Sequence, residues 1–367
     1  MRELATTYPI GIDLNDGCLT AAQFRKGRHG PRVRGLLCLP LPAQSGADAG
    51  KDEALVDALK TVHSCGFFTG RRVVFNLPLQ DLSFFPIHFP FNPQEDPEEG
   101  ILREASKLLS YPIEEALIDY PSLFPIKETC HATVVAARRQ VVDLWLAVLR
   151  RAGFKAEVID FYVASLIRLH RGLFAPTDQA DIICHLGRTG IMLAVITGEG
   201  ILSISEISWG LQLLREKVET SLALPAGGPE SVKLLSTYGL GYMEQGNILE
   251  EETADSGLDD ETRNISRAIF QIISPTVNGL AYDCHNAIGY VRSIRENVVF
   301  GKLYLYGLAG LISHLDSYIE KQVDIPVQLV NLKDHLDIAG IKRPLPQSGE
   351  ISQAPALGLA MRELPWL

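Results

Sequence analysis

The sequence predicts a two-lobed α/β protein, and three observations carry that expectation. Near the N-terminus, Ile10 to Phe24 (IGIDLNDGCLTAAQF) reads apolar strand, tight turn, apolar strand. Asp16-Gly17 is a hairpin dipeptide, because glycine supplies the positive φ of a two-residue turn without steric cost. The plan returns at Asp181 to Ser208, again a strand, a turn holding Gly187 and Gly190, a strand, a Gly-Glu-Gly turn and a strand. Between the two, residues from about 36 to 155 read as a compact α+β unit inserted into the first half. Hairpins that each lead into an α/β half place their turns across a cleft. Consecutive N–H groups of such turns suit an anion, so a nucleotide phosphate is the first ligand to consider; ordinary meander turns share the same pattern.

The totals narrow the class. A chain of 367 residues, 46% hydrophobic and 21% charged, is long enough for more than one core. With 44 acidic against 34 basic residues, its net charge of -10 argues against a nucleic-acid footprint. The 6 cysteines contain no CxxC pair, which excludes a zinc signature and suits a reducing compartment. The opening MRELATTYPIG lacks the apolar core of a signal peptide, and no apolar run is long enough for a spanning helix. A soluble protein is expected, with any membrane role exercised through a partner.

Taken in order, the chain continues with a basic turn at 25–30 and a third strand at 32–41. A loop rich in Pro, Ala and Gly follows at 40–51, then a helix over 52–66, with Asp52 as its cap and Leu55, Val56, Leu59 and Val62 at helical spacing. RVVFNLP (72–78) is a short buried strand. In LSFFPIHFPF (82–91), Phe85, Ile87, Phe89 and Phe91 share one face, and the internal prolines confine the segment to a sheet edge. A helix over 95–110, strands at 117–124 and 129–137, and a helix over 140–152 complete the unit. A strand and helix at 158–173 lead into the second hairpin set. Residues 211–294 are mostly helical, interrupted by an acidic solvated loop at 250–261. A strand and glycine turn at 303–315, a short strand at 327–332 and a terminal helix at 355–363 close the chain.

This succession resembles the actin-like ATPase superfamily, and within it the type IV pilus assembly family PilM, related to the division protein FtsA. IGIDLNDGCLTAAQF stands where that family has its phosphate-1 hairpin, DIICHLGRTG where it has phosphate-2, and LYLYGLAGLISHL where it has the adenosine loop. VVFNLP, YPIEEALIDY and VVAARRQVVDLWLAVLRRAGF resemble its small 1C subdomain, and PALGLAMRE its closing segment. The resemblance implies a first lobe at 1–35 and 156–178, a 1C-like insertion at 36–155, a second lobe at 179–212 and 299–352, a helical 2B-like part at 213–298 and a terminal helix at 353–367.

Family roles carry over residue by residue. The nucleotide cleft would be formed by Asp13, Asn15, Asp16, Gly17 and Cys18, by His185 and Gly187, and by Gly307, Leu308 and Ala309. ATP with Mg²⁺ is the implied ligand, with Asp13 as the implied metal-side carboxylate. Three departures argue for weak binding and against hydrolysis. Asp16 adds negative charge where the family has a small residue. His185 replaces a carboxylate, and imidazole is a poor ligand for a hard cation. Leu308 replaces a glycine, where its side chain either crowds the ligand or turns away to pack. His185 also reads as an ordinary buried structural histidine. The implied partner is the cytoplasmic N-terminal tail of a PilN-type bitopic membrane protein, lying between subdomains 1A and 1C, with Phe85, Ile87, Phe89 and Phe91 as a candidate anchor or as plain core. That reading makes the protein a cytoplasmic scaffold, peripheral to the inner membrane through its partner and open to self-association. The competing reading is an active ATP-binding protein of the same fold, a filament former like FtsA or a sugar-kinase-like enzyme.

Overall fold

The structure, a computed structural model, describes residues 7–15, 17–28, 30–41, 53–92, 94, 96–126, 128–242, 260–338 and 352–364. Asp16, the loop at 42–51, Asp52 and most of the acidic stretch at 250–261 lie outside the described residues.

Two five-stranded sheets repeat one topology. In the first, β1 (Thr7–Asn15), β2 (Cys18–Gly27) and β3 (Gly30–Pro40) form an antiparallel meander. The strands β4 (Arg72–Asn76) and β8 (Lys155–Asp160) then join in parallel, giving the order β3-β2-β1-β4-β8. The second repeats it with β9 (Ala180–Leu186), β10 (Ile191–Thr197), β11 (Gly200–Ile207), β12 (Phe300–Gly307) and β13 (Val327–Leu329), in the order β11-β10-β9-β12-β13. The central strands are buried on both faces, as strands covered on both sides must be. The two-lobed architecture predicted from the paired hairpins is the one observed.

Helices follow their apolar spacing. The face formed by Leu55, Val56, Leu59 and Val62 of α1 (Glu53–Ser64) packs on Ile10, Ile12 and Val73. The helix α2 (Pro97–Leu108) starts on Asp96, whose Oδ1 accepts the Glu98 N–H at 3.0 Å. The helix α3 (Arg139–Arg151) buries Trp145 against Phe75, ring centroids 5.3 Å apart, and its indole N–H donates to Asp81 Oδ2 at 2.7 Å. After α4 (Tyr162–Leu173), the second lobe adds α5 (Leu211–Ser221), α6 (Pro229–Thr237) and the long α7 (Asp260–Ile294), which cover the outer face of its sheet. The short helices α8 (Leu315–Val323), α9 (Leu332–His335) and α10 (Ala354–Ala360) complete the chain.

The inserted unit is narrower than the 36–155 expected. Its own sheet, β5-β7-β6, runs from β5 (Ser83–Pro90) through β6 (Ala116–Ile126) to β7 (Thr129–Arg138), backed by α2. The flanking pieces belong to the first lobe, since β4 is hydrogen-bonded between β1 and β8 while α1 and α3 build that lobe's core. Parallel pairing of distant strands leaves no local mark in the sequence. The edge position expected of the proline-bearing β5 is observed.

The lobes share a core. The helices α4 and α10 lie between the two sheets, with Val163, Leu166, Ala356 and Leu357 packed among Ala22 and Leu36 of the first and Ile183 and Met192 of the second. Close backbone approach demands glycine here. A β-carbon on Gly11 would stand 2.5 Å from the Ala360 nitrogen, and one on Gly358 would collide with the Ser165 carbonyl oxygen. The buried Asp160 carboxylate holds the region together, accepting from Arg168 at 2.9 Å and from Arg362 at 2.8 Å. Among the described residues, no helix is long and apolar enough to cross a membrane.

Candidate functional site

The turns of the two hairpins meet across a cleft of about 410 Å³ whose walls include Asn15, Gly17 and Cys18 from the first lobe and Gly187, Thr189 and Gly190 from the second. The structure therefore brings Asn15, Gly17, Cys18 and Gly187 together at one site. Gly17 has φ +70°, the left-handed conformation its hairpin requires. A β-carbon on Gly17 would lie 3.1 Å from Arg188 Nη2, so a guanidinium from the second turn reaches the first.

Asp13 stands on β1 behind the turn, opposite the face of Ile12 and Leu14, and is 3% exposed. Its Oδ1 accepts from Asn15 Nδ2 at 2.6 Å and from Asn76 Nδ2 at 3.0 Å. The Asn76 amide also donates to Ser165 Oγ at 3.2 Å, and Ser165 donates to the Tyr162 carbonyl at 2.6 Å. On the far side, His185 is 1% exposed, its Nδ1 2.7 Å from the Tyr162 hydroxyl and its Nε2 2.7 Å from Ser352 Oγ. The two rings meet edge to face with centroids 5.3 Å apart. Both imidazole nitrogens thus have protein partners, the structural reading of a buried histidine. This polar thread runs from β1 through β4 and α4 to β9 and ties the lobes behind the cleft.

The second turn is equally committed. The Gly187 N–H donates to the Gly190 carbonyl at 2.9 Å, and the Gly187 and Arg188 carbonyls accept from Leu211 and Gln212 at 3.1 and 2.9 Å. The opening amides of α5 are therefore satisfied by the turn itself. Of the adenosine-loop candidates, Gly307 has φ +75°, and a β-carbon on it would sit 2.8 Å from His185 Nε2. Leu308 and Ala309 are 3% and 0% exposed and belong to the second lobe's core. Leu308 packs into that core and does not line the cleft.

The face formed by Phe85, Ile87, Phe89 and Phe91 is partly covered. Ile87 and Phe89 are 4% and 5% exposed, packed with Ile101, Ala105 and Val134, while Phe85 packs half-buried beside them. A β-carbon on Gly100 would lie 2.5 Å from the Phe89 ring, so α2 presses its glycine onto that ring. Only Phe91 is exposed among the four. The burial of Ile87 and Phe89 has a simple cause: a sheet of three strands needs one face covered, and α2 covers the aromatic one.

Sequence reasoning missed Asn76, Tyr162, Ser165 and Arg188. Two signals were available: an asparagine closing the apolar VVF run of β4, and an arginine within the second turn. Among the described residues, no group of His, Cys, Asp and Glu side chains is arranged to hold a metal ion.

The family model described as type IV pilus assembly protein PilM matches residues 11–251. Among solved structures, a PilM-PilN type IV pilus biogenesis complex is similar at a TM-score of 0.69 and 21% identity, covering 97% of this chain and 98% of that one. The ethanolamine utilization protein EutJ from Carboxydothermus hydrogenoformans is similar at a TM-score of 0.53 and 10% identity, covering 96% of this chain and 89% of that one. No curated protein sequence matches the chain. The fold is that of the actin-like ATPases.

Proposed function

Because the chain belongs to the type IV pilus assembly protein PilM family, we propose that it is a cytoplasmic scaffold of a type IV pilus or related secretion machine. It docks the cytoplasmic tail of a PilN-type membrane subunit and is held at the inner membrane by that contact. The tail lies between the first lobe and the inserted unit, as the family resemblance implies, on residues other than Ile87 and Phe89.

One observation carries the choice of scaffold over enzyme: Asp13, His185 and the opening amides of α5, the groups that would have to meet a magnesium nucleotide, are hydrogen-bonded within the protein. A magnesium nucleotide needs oxygen ligands for the ion and free N–H groups for the phosphates. His185 offers no oxygen, and both its nitrogens are engaged. The Asp13 carboxylate already accepts two amide N–H groups, and the α5 amides bond to the turn. The Arg188 guanidinium reaches the Gly17 turn. The residues present do not fit a magnesium nucleotide. Metal charge and preorganised dipoles supply most of the stabilisation of phosphoryl transfer, so a cleft without them hydrolyses poorly.

The reading is tested with purified protein and Mg-ATP. Phosphate release should stay at the buffer rate, and calorimetry should show no binding at micromolar nucleotide. Turnover near one per second, abolished by Asp13→Ala, would establish the ATPase reading instead.

A further inference from the structure

We propose that the β2–β3 hairpin is a docking surface for an anionic phospholipid bilayer. On a chain of net charge -10, residues 25–34 (RKGRHGPRVR) hold Arg25, Lys26, Arg28, Arg32 and Arg34 and no acidic residue. Phe24 and Val33 point into the shared core, while Arg25, Lys26, Arg28 and Arg32 are exposed and Arg34 is half-buried. Arg25 and Arg32 are directly paired across the two strands. Like charges in that position destabilise a sheet, so the fold gains nothing from the pair. None of these five cations has a carboxylate partner among the described residues, whereas nearby Arg72 is matched by Glu157 and Glu363 at 2.6 and 2.5 Å. Protection of the β3 edge needs a single charge, not a run without counter-ions.

Position supports the same reading. Thr7 pairs with Arg25, so the paired Lys26 and Pro31 lie past the first described residue of β1. The hairpin tip lies at the end of the sheet away from the cleft, about 30 Å from the Cys18 turn at the usual rise per residue. The exposed Arg71 and Lys155 stand at that end too, because β4 and β8 run parallel to β1. Clustered cations of this number suit the anionic headgroups of a cytoplasmic leaflet. That the hairpin faces the membrane bearing the partner rests on the scaffold reading above; binding to lipid does not.

The test is co-sedimentation of the full chain with phosphatidylglycerol-containing vesicles and with pure phosphatidylcholine vesicles, with no tail peptide present. Binding is expected to the anionic vesicles only and to fall as salt is raised. Arg25→Gln with Arg32→Gln should weaken it on the order of tenfold with melting temperature unchanged or higher. Removing equal charge elsewhere, Lys60→Gln with Lys333→Gln, should leave it intact. Equal sedimentation with both vesicle types, absence of binding, or equal loss in the control pair would overturn the proposal. So would equal affinity for duplex DNA with the same sensitivity to the arginine variants, which would mark a general polyanion site. Because no tail is used, failure here leaves the scaffold reading standing, and failure of tail binding leaves this one.

Discussion

Gly358→Val is expected to detach α10 from the first lobe and to lower global stability by about 3 kcal/mol or more, the upper range for overpacking. A side chain at 358 meets the Ser165 backbone, not a flexible side chain that can swing aside. Relief requires α10 to move away from α4 and from Gly11, and the Arg362–Asp160 and Arg168–Gly358 hydrogen bonds go with it. Since α10 and α4 form the layer between the sheets, both lobes should lose cooperativity. Thermal unfolding followed by far-UV dichroism measures the shift, and limited proteolysis should show earlier cleavage near the C-terminus. A melting temperature equal to the parent's would mean that α10 is not packed as described.

Phe89→Ala is expected to destabilise the inserted unit by roughly 3–5 kcal/mol, the cost of emptying an aromatic site in a packed core. The ring is wedged between β5 and Gly100 of α2, and neither strand nor helix can close the gap without breaking the β5–β7 ladder. Affinity for the tail should be unchanged wherever the variant remains folded. Chemical denaturation followed by far-UV dichroism gives the stability change. Normal stability with weakened tail binding would return the aromatic face to the role of anchor.

How far the sequence reaches is visible in these two sites. The hairpins were legible because turn chemistry and short apolar runs are local, and the edge position of β5 followed from its prolines. The shared face of Phe85, Ile87 and Phe89 was legible too, but not its side: alternation says which residues lie together, and only the packing of α2 says what covers them. The place of β4 was hidden for a related reason, since it pairs with β1 and β8 across long stretches of chain. At the cleft, Gly17 and Gly187 were legible as turn glycines. The partners of His185 were not, because Tyr162 is 23 and Ser352 is 167 residues away. Leu308 was read as either an obstruction or a packed residue, and burial decides for the second.

The central claim is that this chain works by holding a membrane subunit's tail without a nucleotide cycle. The direct measurement is calorimetry of a synthetic peptide from that tail, titrated into nucleotide-free protein and again with saturating Mg-ATP. The account predicts micromolar affinity, about -8 kcal/mol, identical in the two titrations. Absence of binding in both, or binding that appears only with Mg-ATP, would contradict it.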